Sequence, residues 1–320
     1  MSNTTIPEEL REGWDAARAG FGNRIHFYAP SIKRYETAGF RNSGRPFFIP
    51  VSITGNSCGL KCEHCRAKIL ETMHAARTPA ELVEIGRRLV AAGGCGMLVS
   101  GGSLADGTVP LGGFLDAIAE LRQWGLSIAV HTGLVDTELA DGLAAAGVDI
   151  AMIDIIGDDA TIRDVYHLHA TVADFEQSLA ALCESGVRTA PHVVIGLHFG
   201  EIRGERAALE LISRHKISSL VLVALTSQRG TPMQNINPPS PGKLAAIFSE
   251  ARLGFPRTPV LLGCARPHGE HKLATDALAL KAGLNGIAYP AEGIVELAEE
   301  LGLEPVFSEQ CCALIQDEIQ

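Results

Sequence analysis

The stretch Asp136-Thr-Glu-Leu-Ala-Asp-Gly-Leu-Ala-Ala-Ala146-Gly147-Val-Asp-Ile-Ala-Met-Ile153 decides the fold class. Its first half reads as an amphipathic helix closed by Gly147, and its second half as a short apolar strand. The same phrase recurs along the chain: Thr78 to Ala92 before Gly93, Leu115 to Trp124 before Gly125, and Val172 to Ser185 before Gly186. An Ala- or Glu-rich helix, then Gly, then a Val/Ile/Leu run is the pattern of βα units whose parallel strands are buried on both faces.

Working outward gives eight candidate strands: Phe48 to Thr54, Gly96 to Ser100, Ser127 to His131, Asp149 to Ile153, His192 to Ile195, Ser219 to Leu225, Pro259 to Leu262 and Gly286 to Ala288. Eight βα units in roughly 240 residues predict an α/β fold, a (βα)8 TIM-type barrel that is complete or nearly so. The competing doubly wound sheet lacks its mark, a Gly-x-Gly-x-x-Gly loop directly after a strand. Residues 1–45 read as an amino-terminal extension. It holds a short acidic helix with Thr5 as cap, Pro7 in its first turn and Gly20 as its stop, then a loop with Pro30, Gly39 and Gly44. The barrel is expected over 46–292, and a last helix with a cysteine-bearing tail over 293–320. In that tail Pro305-Val-Phe307 reads as a docked strand.

Of the 320 residues, 37 are acidic and 27 basic, for a formal charge of −10. That balance argues against nucleic-acid binding, which runs on Lys and Arg displacing counterions. No run approaches the roughly 20 apolar residues of a membrane helix, and Met1 to Arg11 lack the apolar core of a signal peptide. The expectation is a cytoplasmic protein. Eight cysteines in such a chain do not suggest a disulfide framework, because that compartment keeps thiols reduced.

Three of them form Cys58-Gly-Leu-Lys-Cys62-Glu-His-Cys65, which follows the first barrel strand at the end where sites of this fold collect. Three close thiolates suit iron-sulfur ligation or a zinc clip completed by His64 or His74. Cys264, Cys311 and Cys312 make a second group. It reads as a second cluster site, with Arg266, His268 or Ser308 as possible fourth ligands, or else as a frayed tail or a redox pair. Cys95 and Cys183 read as core thiols.

The spacing Cys-x3-Cys-x-x-Cys, with His64 before the third Cys, resembles the cluster loop of the radical S-adenosylmethionine (SAM) superfamily. The resemblance implies a [4Fe-4S] cluster held by Cys58, Cys62 and Cys65 with one open iron. That iron would bind SAM, whose cleavage gives a 5′-deoxyadenosyl radical. It also implies cofactor contacts at His64, at Gly101, Gly102 and Ser103 (where the family has Gly-Gly-Glu), and at His131 and Asp154. On the adenine side it implies Gly196 and Leu197, in a partial Gly-x-Ile-x-Gly-x-x-Glu motif whose acid Glu201 comes too late to supply.

The segment Arg229-Gly-Thr-Pro-Met233, together with the second cysteine group, is similar to the biotin-synthase-like branch. His131-Thr-Gly-Leu-Val-Asp136, Val165-Tyr-His-Leu168 and Gly263-Cys-Ala-Arg-Pro267 resemble the second subunit of two-component lipoyl synthases. That resemblance implies a sulfurtransferase of lipoate biosynthesis, with an auxiliary cluster on Cys264, Cys311 and Cys312. Its substrate would be octanoyl-lysine on a lipoyl-carrier protein. Its partners would be a homologous radical SAM companion subunit and an electron donor such as ferredoxin or flavodoxin. The alternatives are a radical SAM lyase or mutase of cofactor maturation, and a non-catalytic metal-binding scaffold.

Overall fold

The computed structural model describes residues 4–317; the first three residues of the acidic amino terminus and the last three of the tail lie outside the described residues. In chain order the first elements are α1 (Glu8–Phe21), β1 (Arg24–Tyr28), β2 (Phe48–Ser52), β3 (His74–Ala75), α2 (Pro79–Ala91), β4 (Gly96–Ser100), α3 (Leu115–Gln123) and β5 (Ser127–Thr132). There follow α4 (Thr137–Ala145), β6 (Ile150–Asp154), the short α5 (Asp159–Thr161), α6 (Val172–Glu184), β7 (Thr189–Ile195), α7 (Glu205–Ser213) and β8 (Leu220–Ala224). The last are α8 (Pro241–Gly254), β9 (Val260–Leu262), α9 (Glu270–Lys281), β10 (Gly286–Ala288), α10 (Ile294–Glu300) and β11 (Glu304–Ser308).

The eleven strands make one sheet in the order β11-β1-β10-β9-β8-β7-β6-β5-β4-β2-β3. Every pairing is parallel. From β4 to β10 spatial order follows chain order, with a helix between successive strands, as a barrel of βα repeats requires. The seam between the two ends of the sheet is crossed by a side chain. Ser31 Oγ accepts from the amides of Phe47 (2.8 Å) and Phe48 (2.9 Å) and donates to the Phe48 carbonyl (3.0 Å).

Local chemistry sets the helix starts. The Thr78 hydroxyl accepts from the Glu81 amide, Asp136 accepts from the Leu139 amide, and Thr171 with Asp174 forms a reciprocal capping box. The first helix departs from the sequence reading. Pro7, without a side-chain cap, takes the position expected for Thr5, and the helix runs through Gly20 to Phe21. Gly20 is a close-approach residue, since a Cβ there would sit 3.0 Å from the Pro256 carbonyl. The chain turns instead at Gly22, whose φ of 68° suits glycine.

The segment after this helix, read as loop, holds β1. Five residues containing Arg24 and His26 give little strand signal of their own; their pairing with β10 and β11, from the far end of the chain, makes the strand.

The outward faces of the strands, among them Val51, Val99, Val130, Ile153 and Ile195, pack under the helices with Leu82, Leu121, Leu143 and Leu179. The inward faces meet the tail. Phe48, Ala129, Ile150, Met152 and Ala190 surround Ala313 and Leu314, while Tyr28, Val221 and Leu261 cluster with Cys312 and Ile315. A 3-10 turn, Cys312–Asp317, therefore fills part of the barrel lumen. β11 delivers it there, as the docked-strand reading of 305–307 implied. Elsewhere the lumen is open: on the central strands β5 and β6, the side chains of His131 and Asp154 keep 28% and 31% of their exposure. Among the described residues no helix is long and apolar enough to cross a membrane.

Candidate functional site

The Cys58–Cys65 loop leaves the carboxyl end of β2 and folds into an apolar socket formed by Leu60, Ile162, Val165, Leu197 and Met233. Its tight curl uses left-handed backbone at three non-glycine residues, Lys61 (φ 49°), Arg66 (φ 48°) and Ala67 (φ 64°). Strain of that kind persists only where surrounding contacts fix it. Here the Cys62 carbonyl accepts from the amides of Cys65 (3.2 Å) and Arg66 (2.9 Å). Glu63 ties the loop to the segment after β6, pairing with His167 at 2.8 Å and with Arg66 at 2.6 Å.

The Cys65 thiol is drawn down chiefly by the hydrogen bond it receives from Cys62, with His64 acting in the same direction. Cys62, the donor, is pushed up by that bond and by burial. His64 Nδ1 is buried beside these thiols with no hydrogen-bond partner. Among the described residues no three His, Cys, Asp or Glu side chains are arranged to hold a single metal ion, either at this loop or at Cys264, Cys311 and Cys312. A cluster spreads its ligands over several irons and needs no such arrangement.

The turn after β4 packs directly on this loop. A Cβ on Gly102 would lie 2.0 Å from the Ser57 carbonyl and 2.6 Å from Cys58 Cβ. The Gly102 amide donates to Thr54 Oγ1 (2.7 Å), and the Ser103 carbonyl accepts from the Gly59 amide (2.6 Å). Glycine at 101–102 thus has a steric cause that needs no ligand, and the Gly102 N–H is already spent on Thr54.

Farther round the lumen, His131 Nε2 lies 3.6 Å from Asp154 Oδ1, and the Tyr166 hydroxyl donates to Asp154 Oδ2 at 3.2 Å. The Tyr166 ring lies 5.4 Å from that of His64, linking the two walls. Burial, then Asp154, raises the Tyr166 phenol well above its usual range, so it stays a donor. His192 lies 5.1 Å from His131, ring to ring, and its Nδ1 is 3.0 Å from the Ala190 carbonyl. Burial, then His131, pushes it down to about 4, so near neutrality it is uncharged and presents Nε2 as an acceptor.

Gly196, with φ of 84°, ends β7, and its amide donates to Glu205 Oε1 at 2.7 Å. Leu197 is buried in the same cluster as Leu60 of the cysteine loop.

The members of the second cysteine group lie within electrostatic reach of one another. Cys312 donates to Cys311, which lowers the Cys311 thiol and raises that of Cys312. Cys264 is raised by Cys311 and Cys312 by Cys264, and Tyr289 lies in the field of all three. Cys264 keeps surface exposure, and burial followed by Cys311 raises its thiol. Of the three suggested fourth ligands, Arg266 is spent. Its buried guanidinium pairs with Asp276 and donates to the carbonyls of Gly263 (2.7 Å) and Tyr289 (2.9 Å). Ser308 Oγ accepts from the Gln310 amide, and His268 is exposed. Cys95 and Cys183 are partly buried beside the core; burial raises both thiols, that of Cys95 to about 11.

The sequence profile of the Radical SAM superfamily matches residues 52–212, half the chain, including all of the first cysteine loop. The chain belongs to the radical SAM superfamily. It is 26% identical over 260 residues to the biotin synthase of Chromohalobacter salexigens, covering 75% of this chain and 65% of that one. The biotin synthase of Marinobacter nauticus is 24% identical over 222 residues, or 64% and 60% of the two chains. The chain thus spans somewhat under two thirds of these relatives' length. Among solved structures it resembles methylornithine synthase (PylB), with TM-score 0.61 at 15% identity over 99% and 94% of the chains. It also resembles HydG, a maturase of the [FeFe]-hydrogenase, with TM-score 0.62 at 14% identity over 97% and 70%. Identities so low speak for the fold.

A radical SAM enzyme carries a [4Fe-4S] cluster and SAM. The donor set fits: three thiols on one walled loop, with the orphaned His64 nitrogen beside them. Two residues that bind candidate site residues were missed in the sequence. Tyr166 sits in a quoted phrase, but nothing local shows that it reaches Asp154. Glu205 lies four residues beyond Glu201, where spacing alone does not look for the acid that steadies the turn at Gly196. Its other oxygen, Oε2, is buried without a partner. A buried hydrogen bond to a charged group is worth about 1.5–3 kcal/mol, so Glu205→Ala is expected to weaken SAM binding about tenfold or more. Equilibrium dialysis of the reconstituted protein measures it.

Proposed function

We propose that this radical SAM enzyme inserts sulfur into an unactivated C–H bond, as one subunit of a two-component lipoyl synthase. Its substrate is octanoyl-lysine on a lipoyl-carrier protein. Its partners are a homologous radical SAM companion subunit and a ferredoxin or flavodoxin as electron donor. The observation that carries this reading is that Cys264, Cys311 and Cys312 lie within electrostatic reach of one another around Tyr289, with Cys312 and Tyr289 packed in one buried cluster. When bound, the first cluster with SAM supplies the carbon radical, and a second cluster on Cys264, Cys311 and Cys312 supplies the sulfide.

The chain's own residues set the stage for both. The tail residues Ala313 and Leu314 fill the lumen among Phe48, Ile150 and Ala190, near the strands' amino ends, so a long acyl arm enters from the carboxyl end. His131, Asp154 and Tyr166 give that entrance a hydrogen-bonding wall. His192 donates its one imidazole proton to a backbone carbonyl and so brings no acid to the reacting carbon.

Incubating the reconstituted protein with an octanoylated carrier protein, the companion subunit and reductant is expected to add sulfur, read as a gain in intact mass. 5′-Deoxyadenosine without any mass gain defeats the substrate assignment and leaves the radical chemistry standing. Iron near about eight per chain supports two clusters, and near about four removes the second.

A further inference from the structure

A second cluster bound by Cys264, Cys311 and Cys312 brings thiolate charge into a site where burial already penalises it. The neighbouring cations are not equally free to answer it. Arg266 is fully buried and consumed by Asp276 and two backbone carbonyls. Lys272 leans on the same carboxylate at 3.3 Å and on the Tyr289 carbonyl.

Lys33 is different. It makes no ion pair with a carboxylate among the described residues, and its ammonium rests 4.3 Å from the centroid of the Tyr289 ring, which packs in one buried cluster with Cys312. Its backbone is pinned. The Asn42 side chain donates to the Lys33 carbonyl (2.8 Å) and accepts from the Tyr35 amide (3.2 Å), and the Tyr35 hydroxyl donates to the Pro290 carbonyl. Ser43 fastens the same strap to Glu309, two residues before Cys311, at 2.7 Å.

We infer that Lys33 is the counter-cation of the second cysteine site and raises the reduction potential of the cluster held there. The inference rests on the proposed function, which gives those cysteines a cluster. Its sign follows from charge. One electron from an external reductant adds one negative charge to the cluster, and a fixed cation nearby stabilises that reduced form more than the oxidised one. Lys33 acts through the cluster's field and is a positioning residue, not a catalytic one.

The test uses full-length protein carrying Cys58→Ala, Cys62→Ala and Cys65→Ala, so that only the second site can load. Mediated redox titration followed by electron paramagnetic resonance compares Lys33 with Lys33→Gln and Lys33→Arg. At fixed potential the Gln variant is expected to lower the reduced-to-oxidised ratio about tenfold, equivalent to about 59 mV for one electron. The Arg variant, keeping the charge, is expected to stay close to the parent. An unchanged midpoint in a Gln variant of normal iron content overturns the role of Lys33 alone. No iron in the parent overturns the second cluster, and the inference with it.

Discussion

Replacing Cys58, Cys62 and Cys65 together by Ala is expected to abolish 5′-deoxyadenosine formation from SAM, while Cys183→Ala leaves it unchanged. The contrast follows from geometry. The three loop thiols lie together beside His64, whereas Cys183 sits on α6 packed against the core, where burial raises its thiol. The loop's shape comes from backbone hydrogen bonds and from Glu63, so the triple variant is expected to fold. Anaerobic reconstitution with product analysis by chromatography measures the effect. Undiminished cleavage in the triple variant would show that the loop does not hold the cluster.

Asp276→Ala is expected to cost about 3–5 kcal/mol of stability, the usual consequence of stranding a buried charge. Asp276 has no exposed side-chain surface, and it accepts from Arg266 through two nitrogens, from Lys272, and from the Ala291 amide at 2.7 Å. Removing it leaves the Arg266 guanidinium buried and unpaired. Urea unfolding of the apoprotein gives the number. Because Arg266 also holds the carbonyls of Gly263 and Tyr289, iron loading at Cys264 should fall in the same variant while the first site loads normally. Stability within about 1 kcal/mol of the parent would mean that water or a neighbour compensates the charge.

The barrel was legible because each βα unit declares itself locally. Glycine stops such as Gly147 and Gly186, caps such as Asp136 and Thr171, and unbroken apolar strands all point to one architecture. β1 was not legible, because its strand character comes from partners at the other end of the chain. The first three residues of β7, Thr189-Ala-Pro191, were missed for a related reason: Pro191 argues against a strand until its neighbours are known. At the site, the first cysteine loop could be read from its spacing. The link from Tyr166 to Asp154, the bond from Gly196 to Glu205 and the engagement of Arg266 could not, since each joins residues on different elements.

The strap and tail around Lys33, Cys264 and Cys312 impose an order on the protein's biosynthesis. The Cys58–Cys65 loop and its β4 neighbour emerge early from the ribosome. The second cysteine site draws on residues from before β2 and from after β11, so it cannot form until β11 and the residues after it have been made. β1 waits for β10 and then β11 to gain its two strand neighbours, and the part of the lumen lined by Phe48, Ile150 and Ala190 stays unfilled until Ala313 and Leu314 follow.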